Sequence, residues 1–250
     1  MDADWTGLRR ELAAWRAEGL DLPIWWRDDD AITQTAALDR LAGLAHQLGL
    51  PVHLAVVPKF ADAALAALCA SDPMLVPLVH GWAHRNHAPA DAKKAEFGLD
   101  RPRLRADAAA GLARMRALFG PTALPVFVPP WNRIAPALVP DLAGMGFAGL
   151  STFTPRDQRL AAPGLVQINT HLDPIHWRGG GGLVAPETLL ATLEGMLRDR
   201  RAGRADTAEP LGLLTHHLVH DAAIWAFTER CLAELLEGGA LPVDLRGALP

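Results

Sequence analysis

Leu22-Pro23-Ile24-Trp25-Trp26-Arg27-Asp28-Asp29-Asp30 is an apolar run that ends in one arginine and three carboxylates. Its apolar part, Leu22 to Trp26, has the length of a buried strand rather than a helix. Upstream, Leu8, Leu12 and Trp15 form a helical stripe closed by Gly19. Downstream, Leu38, Leu41, Ala45 and Leu48 recur at helical spacing, with Gly49 as the stop. Val52 to Val57 then predicts a second strand and Leu75 to Val79 a third. After a polar stretch from Gly81 to about Arg103 comes a helix carrying Leu104, Ala108, Leu112, Met115 and Phe119. Pro125 to Val128 is a fourth strand, and Pro136 opens a helix through Leu142 and Met145. Phe147 to Leu150 and Leu165 to Ile168 predict two more strands. A helix from Pro186, a strand at Leu211 to Leu214, a helix over Asp221 to Leu236 and a short strand at Leu241 to Leu245 complete the pattern. Strands alternating with helices imply parallel βαβ units, and so many of them favour an α/β barrel over an open sheet.

The chain has 250 residues, half of them hydrophobic, which suits one core and one domain spanning 1-250. A net charge of −4 with scattered Lys and Arg gives no basic groove, so no nucleic-acid partner is expected. No stretch approaches the ~20 apolar residues of a membrane span, and the opening Met1-Asp2-Ala3-Asp4-Trp5 lacks the features of a signal sequence. Cys69 and Cys231 are too few for a disulfide framework. A cytoplasmic location is expected. Gly179 to Gly182 is a flexible loop, because no strand and helix flank it as a phosphate cradle requires.

Barrels of parallel strands carry their chemistry on the loops that follow the strands. Polar clusters sit at those places: Arg27 to Asp30, His80 to His87, Pro129 to Arg133, His171 to Trp177, and His216 to Asp221. Of 10 histidines, only His46 and His53 lie outside them, in a predicted helix and strand. Each cluster alone has a plainer reading: three aspartates can be a solvated turn with a helix cap, and Trp131 and Trp177 can simply pack. Converging at one barrel end, they support each other. The spacing of His80 and His84 would put both imidazoles on one helical face, one turn apart, where they can share a metal. His87 continues that face. One carboxylate and two neutral imidazoles suit zinc or a similar ion, leaving positions open for water and substrate. Such an ion acidifies water and polarises a carbonyl, while a free carboxylate and a histidine can handle the protons. Asp29, Asp30, His80, His84 and His216 supply this set.

These residues resemble the polysaccharide deacetylase family, carbohydrate esterase family four. Its ordered motifs are matched by Asp29-Asp30, by His80-Gly81-Trp82-Ala83-His84, and by Val128-Pro129-Pro130-Trp131-Asn132. Asp173 to Trp177 and Leu214-Thr215-His216 match the last two. The resemblance implies a distorted seven-stranded (β/α) barrel. It implies Asp30, His80 and His84 as ligands of one divalent metal, zinc by its donor set, with Asp29 as general base and His216 as general acid. Trp131, Asn132, Asp173, Trp177 and His217 fall beside these as substrate-binding or supporting residues, with His217 the alternative acid. The family's third motif begins with an arginine where this chain has Val128, so Arg27 or Arg133 is expected to hold the base instead. Gly81 stands where the family has Ser or Thr. The loop around Lys93-Lys94-Ala95-Glu96-Phe97-Gly98 could cover the site and select a small substrate.

The expected activity is therefore removal of an acyl group, N-acetyl first, from a sugar or related amide. Hydrolysis of another small C–N bond, as in a cyclic amide, is the second reading. The third is a carbohydrate-binding relative without catalysis, against which Asp29 and His216 speak, since a binding module needs neither.

Overall fold

The computed structural model describes residues 3–249; Met1 and Asp2 of the acidic opening, and Pro250, lie outside them. The apolar runs become β1 (Pro23–Ala31), β2 (Val52–Val56), β3 (Leu75–His80), β4 (Val126–Val128), β5 (Gly149–Leu150), β6 (Leu160–Ala162), β7 (Leu165–Gln167), β8 (Leu211–Thr215) and β9 (Leu241–Pro242). Between them lie α1 (Thr6–Ala17), α2 (Ala36–Leu48), α3 (Ala63–Ser71), α4 (Leu104–Phe119), α5 (Val139–Leu142), α6 (Pro186–Arg201) and α7 (Ala222–Glu237). Side chains of Thr35, Asp62 and Asp221 accept the first free backbone N–H groups of α2, α3 and α7. Gly49, at φ 62°, closes α2 in the left-handed conformation that its residue type permits.

Strand order is β6-β7-β5-β4-β3-β2-β1-β8, with β9 beside β1. Every pairing is parallel except β6 with β7. Beyond β7 the chain carries the ladder on to β8: His171 N–H donates to Gly212 O at 2.7 Å, and Leu214 N–H to Leu172 O at 2.8 Å. The result is the distorted α/β barrel architecture expected, with an irregular segment where a regular strand would sit.

Strand alternation explains why the runs are apolar throughout. Trp25, Ala55, Leu78, Val126, Val128 and Ile168 point to one face and pack together with Leu245. Trp26, Leu54, Val79 and Phe127 point to the other and pack under the helices. Both faces are buried, so no polar face interrupts the strands. Trp25 and Trp26 are each fully buried, and burial of such a side chain contributes on the order of 3 kcal/mol. Both indole N–H groups are satisfied, by Asn169 O at 2.9 Å and Thr215 Oγ1 at 2.8 Å.

Two expectations are corrected, and two elements were not foreseen. The helix from Pro136 shrinks to α5 and a following single turn, Ala143–Met145. The last predicted strand is only β9, and Leu245 instead lies in a short turn of helix and joins the inner cluster. Strand β6 and helix α3 were not foreseen; β6 is three residues long and partly exposed, so no apolar run marks it.

His53 carries a prediction. It is fully buried, its Nδ1–H donates to Trp26 O at 3.0 Å, and its Nε2 accepts from Leu245 N–H at 3.1 Å. Accepting at Nε2 requires neutral imidazole, and burial pushes its pKa down to about 4. The unfolded chain therefore binds the extra proton below its ordinary pKa of ~6.5, while the folded chain does so only near 4. Stability from this group is complete above that ordinary value and falls with pH, by roughly 3 kcal/mol once the folded pKa is passed. Urea unfolding at several pH values should show a shallower acid decline in His53→Gln than in wild type; equal slopes would remove His53 as a contributor.

Candidate active site

Side chains of β1 alternate, so Trp25, Arg27 and Asp29 share the inward face. By alternation Asp30 would point out. It does not, because the β1–β2 register shifts between Asp29 and Ala31, and Asp30 takes φ 76°. This bulge turns the second carboxylate inward beside the first. Positive φ recurs nearby at His84, Trp131 and Asn132. Non-glycine residues held there carry strain of order 1–3 kcal/mol each, and such strain gathers at functional sites.

Arg27 is wholly buried and spends its guanidinium on five hydrogen bonds, as many as it has N–H donors. Nε and Nη2 grip Asp29 Oδ1 and Oδ2 at 2.8 and 3.0 Å, and Nη2 also reaches Asn132 Oδ1 at 2.7 Å. Nη1 bonds Ser151 Oγ at 2.7 Å and Thr152 O at 3.2 Å. Arg27 thus does for Asp29 what Val128 cannot. Arg133 is elsewhere: its Nη1 donates to Lys94 O at 2.5 Å.

His80 ends β3, and its Nδ1–H donates to Val128 O at 3.0 Å, leaving the Nε2 lone pair free. That nitrogen and His84 Nε2 each lie 3.2 Å from Asp30 Oδ1. Asp30 Oδ1 is buried and accepts no hydrogen bond. The three ligand atoms fall within 4.8 Å of one another, the one such group among the described residues. Two ligands on a tetrahedral zinc, with bonds of ~2.0–2.1 Å, sit ~3.3 Å apart. Donor set, free lone pairs and spacing all fit a divalent ion. Burial alone would raise the Asp30 carboxyl, but His80 and then His84 in their protonated form outweigh it and hold the group well below the usual carboxylate range, as a bound cation in place of those protons would.

The helical face expected for His80 and His84 is not the structure. His80 belongs to a strand, and His84 reaches it through a tight turn with φ 55° at Gly81 and 50° at His84. Residue 96 holds that turn. The buried Glu96 carboxylate accepts backbone N–H bonds from Trp82, Ala83 and His84 at 3.2, 2.9 and 3.2 Å. Gly81 is required here, since a Cβ would meet Pro130 Cδ at 2.5 Å, Glu96 Oε2 at 2.6 Å and Phe97 at 2.8 Å. A Ser or Thr at this position would collide. Trp131 covers His84, ring centroids 4.2 Å apart. His87 is exposed and outside the group.

Across the site, Trp177 meets His216 edge-on at 4.7 Å between centroids, and its indole N–H donates to Asp173 Oδ2 at 2.8 Å. Burial raises the Asp173 carboxyl despite the opposing charge of His216. His216 Nδ1 is buried without a partner. His217 points away. Its Nδ1 lies 2.5 Å from Asp28 Oδ1, on the outward face of β1, and Asp28 Oδ2 also accepts Thr215 Oγ1–H at 2.6 Å and His217 N–H at 2.9 Å. Asp28 therefore fastens the end of β8, and with it the segment bearing His216. His171 leaves the cluster too: its Nδ1 accepts Gly212 N–H at 2.9 Å and its Nε2 faces Glu209 at 3.1 Å, in a buried network beside β8.

Sequence reasoning missed Glu96 and the anchoring part of Asp28. For Asp28 strand alternation was the signal, because it puts Asp28 out of phase with Asp29; its pairing with Thr215 appears only in the structure. Nothing in the polar run marked Glu96.

No protein-family model matches this sequence, and no curated protein does. Solved structures do match in fold. A family 4 carbohydrate esterase from Streptococcus mutans is 9% identical with a TM-score of 0.61, over 89% of this chain and 85% of that one. A family 4 carbohydrate esterase from Streptomyces lividans, solved with acetate, is 14% identical at 0.54, over 89% and 92%. A family 4 acetyl xylan esterase from Clostridium thermocellum, solved with a cobalt ion, is 13% identical at 0.52, over 90% and 88%. The chain has the fold of these esterases.

Proposed function

We propose that this chain is a metal-dependent hydrolase of the polysaccharide deacetylase type, removing an acyl group, N-acetyl first, from a sugar or related amide. The observation that carries the reading is one carboxylate oxygen and two imidazole nitrogens converging at 3.2 Å, next to a second carboxylate gripped by a buried arginine. The fold shared with esterases solved with acetate and with cobalt supports it.

Asp30, His80 and His84 would hold the ion, zinc by its mixed nitrogen and oxygen donors. A divalent ion there supplies a Lewis acid for the carbonyl and makes water more acidic. Asp29, fixed by Arg27 and kept off the ligand set, takes a proton from the attacking water. His216 gives a proton to the leaving nitrogen as the C–N bond breaks, so the products are a carboxylate and an amine. Trp177 and Asp173 orient His216; Trp131 and Asn132 wall the site; His217 acts through Asp28 on the β8 end. A single catalytic domain in the cytoplasm completes the proposal; both cysteines are free and buried. No described helix is long and apolar enough to cross a membrane.

Arg27 gives a prediction of its own. Lysine keeps the charge but not the planar fork that holds both Asp29 oxygens. Arg27→Lys should retain the ion and lose turnover by about 10-fold or more, since a mispositioned base loses part of its ~10²–10⁴-fold contribution. Unchanged kcat would remove the orienting role.

The reading is tested by supplying metal-loaded protein with acetylated chito-oligosaccharides, acetylated xylan, simple N-acetyl amides and cyclic amides. Acetate release supports it. Ring opening of cyclic amides alone moves the chemistry to the second C–N reading, and binding with no turnover of any substrate leaves a binding protein.

A further inference from the structure

A cavity of about 600 Å³ opens beside the site, under the loop of residues 88–99. That is within the ~300–1,000 Å³ range of small-molecule pockets. It begins at Asn132 and Thr152, the residues whose oxygens bind the Arg27 guanidinium. Its covering loop is part of the site's construction, because Glu96 on that loop holds the His84 turn. Neither the metal ligands nor Asp29 or His216 line the cavity, so the body of a substrate reacting there would reach it past Asn132 and Thr152.

The walls say what that body is. Leu99, Ile134, Val139 and Leu150, with several alanines, make most of the lining. The charged lining residues are Lys93 and Arg133, with no carboxylate among them. Two arginines just beyond the loop pair with acids, Arg101 with Asp107 and Arg105 with Asp141. Among the described residues Lys93 and Arg133 pair with none, and Arg133 spends one N–H on Lys94 O. The lining also lacks an aromatic ring on which a sugar face could stack. Its hydroxyl and amide at Thr152 and Gln167 are already turned toward Asn169 Oδ1, at 3.0 and 3.5 Å. Sugar hydroxyls would leave water for few partners here. A body carrying both an apolar side chain and a carboxylate would fill the walls and face the two cations.

We infer that this cavity is a subsite for the body of a small amide substrate with an apolar chain and a carboxylate, as in an N-acyl amino acid. The inference rests on the hydrolase reading and narrows its substrate class.

The test compares kcat/KM for N-acetyl-leucine, its uncharged analogue N-acetyl-leucinamide, and N,N′-diacetylchitobiose, with p-nitrophenyl acetate as a control too small to need the cavity. Wild type should prefer N-acetyl-leucine to both others by about 3-fold or more, the scale of a partly exposed charge contact. Arg133→Gln should erase the preference over the leucinamide. Ala161→Trp, which fills the cavity, should lower both leucine substrates and spare p-nitrophenyl acetate, whose turnover also shows that each variant is folded. Preference for the chitobiose, or a leucine preference unmoved by both variants, overturns the subsite while ester turnover keeps the hydrolase reading. If metal-loaded wild type cleaves none of the four and none of the wider panel above, the hydrolase reading fails and the subsite falls with it.

Discussion

Asp29→Asn is expected to keep its metal and lose turnover by ~10²–10⁴-fold, the usual contribution of a general base. The reason is the bulge in β1. Asp29 lies in regular strand, 3% exposed, with both oxygens taken by Arg27. Asp30, turned by its positive φ, presents Oδ1 to His80 and His84 instead. Asparagine at 29 retains the shape but cannot take a proton. Asparagine at 30 removes an anionic ligand, so Asp30→Asn should weaken metal binding, and excess metal should restore part of the activity. Metal content and turnover measured together on both variants separate the roles. Loss of the ion from Asp29→Asn, with retention in Asp30→Asn, would exchange them.

The second large effect belongs to His216→Ala. Metal should stay, and amide hydrolysis should fall by ~10²–10⁴-fold, because the amine must be protonated to leave. An activated ester should suffer less, since its leaving group departs without a proton. His217→Ala should behave differently. It breaks a buried bond to Asp28 rather than a contact across the site, so its cost should appear as lost stability, about 3–5 kcal/mol when one member of a buried pair is removed. Asp28 would then be left as an uncompensated buried carboxylate, or would protonate. Full amide activity in His216→Ala with a folded but inactive His217→Ala would transfer the acid to residue 217.

Much of this was legible in the chain. Runs such as Leu22 to Trp26 and Leu75 to Val79 are apolar on both faces, and only strands buried between an inner cluster and a helix layer require that. The polar residues that follow them mark one barrel end. What escaped depends on single backbone torsions and on long-range closure. The His80–His84 spacing fits one helical turn, but equally fits a strand end followed by a left-handed turn, and Gly81 was the clue to the latter. Alternation predicts opposite directions for Asp29 and Asp30, and one bulged residue overrides it. Glu96 acquires its place only when residues 88–99 fold back over the site, with His87 N–H bonding Ala95 O at 2.8 Å. No local pattern encodes that return. Arg27 shows the opposite case: two residues before Asp29 on a strand means the same face, so its grip follows from alternation alone.

The central claim is that Asp30, His80 and His84 hold a divalent ion on which hydrolysis depends. Its most direct test is elemental analysis of wild type, His80→Ala and His84→Ala after metal loading and desalting, with acetate release followed on the same samples. The account predicts about one ion per wild-type chain, as a single three-ligand site requires, no stoichiometric ion in either variant, and hydrolysis that vanishes on chelation and returns with metal. Unchanged metal in both variants, or full turnover by the stripped protein, would contradict it.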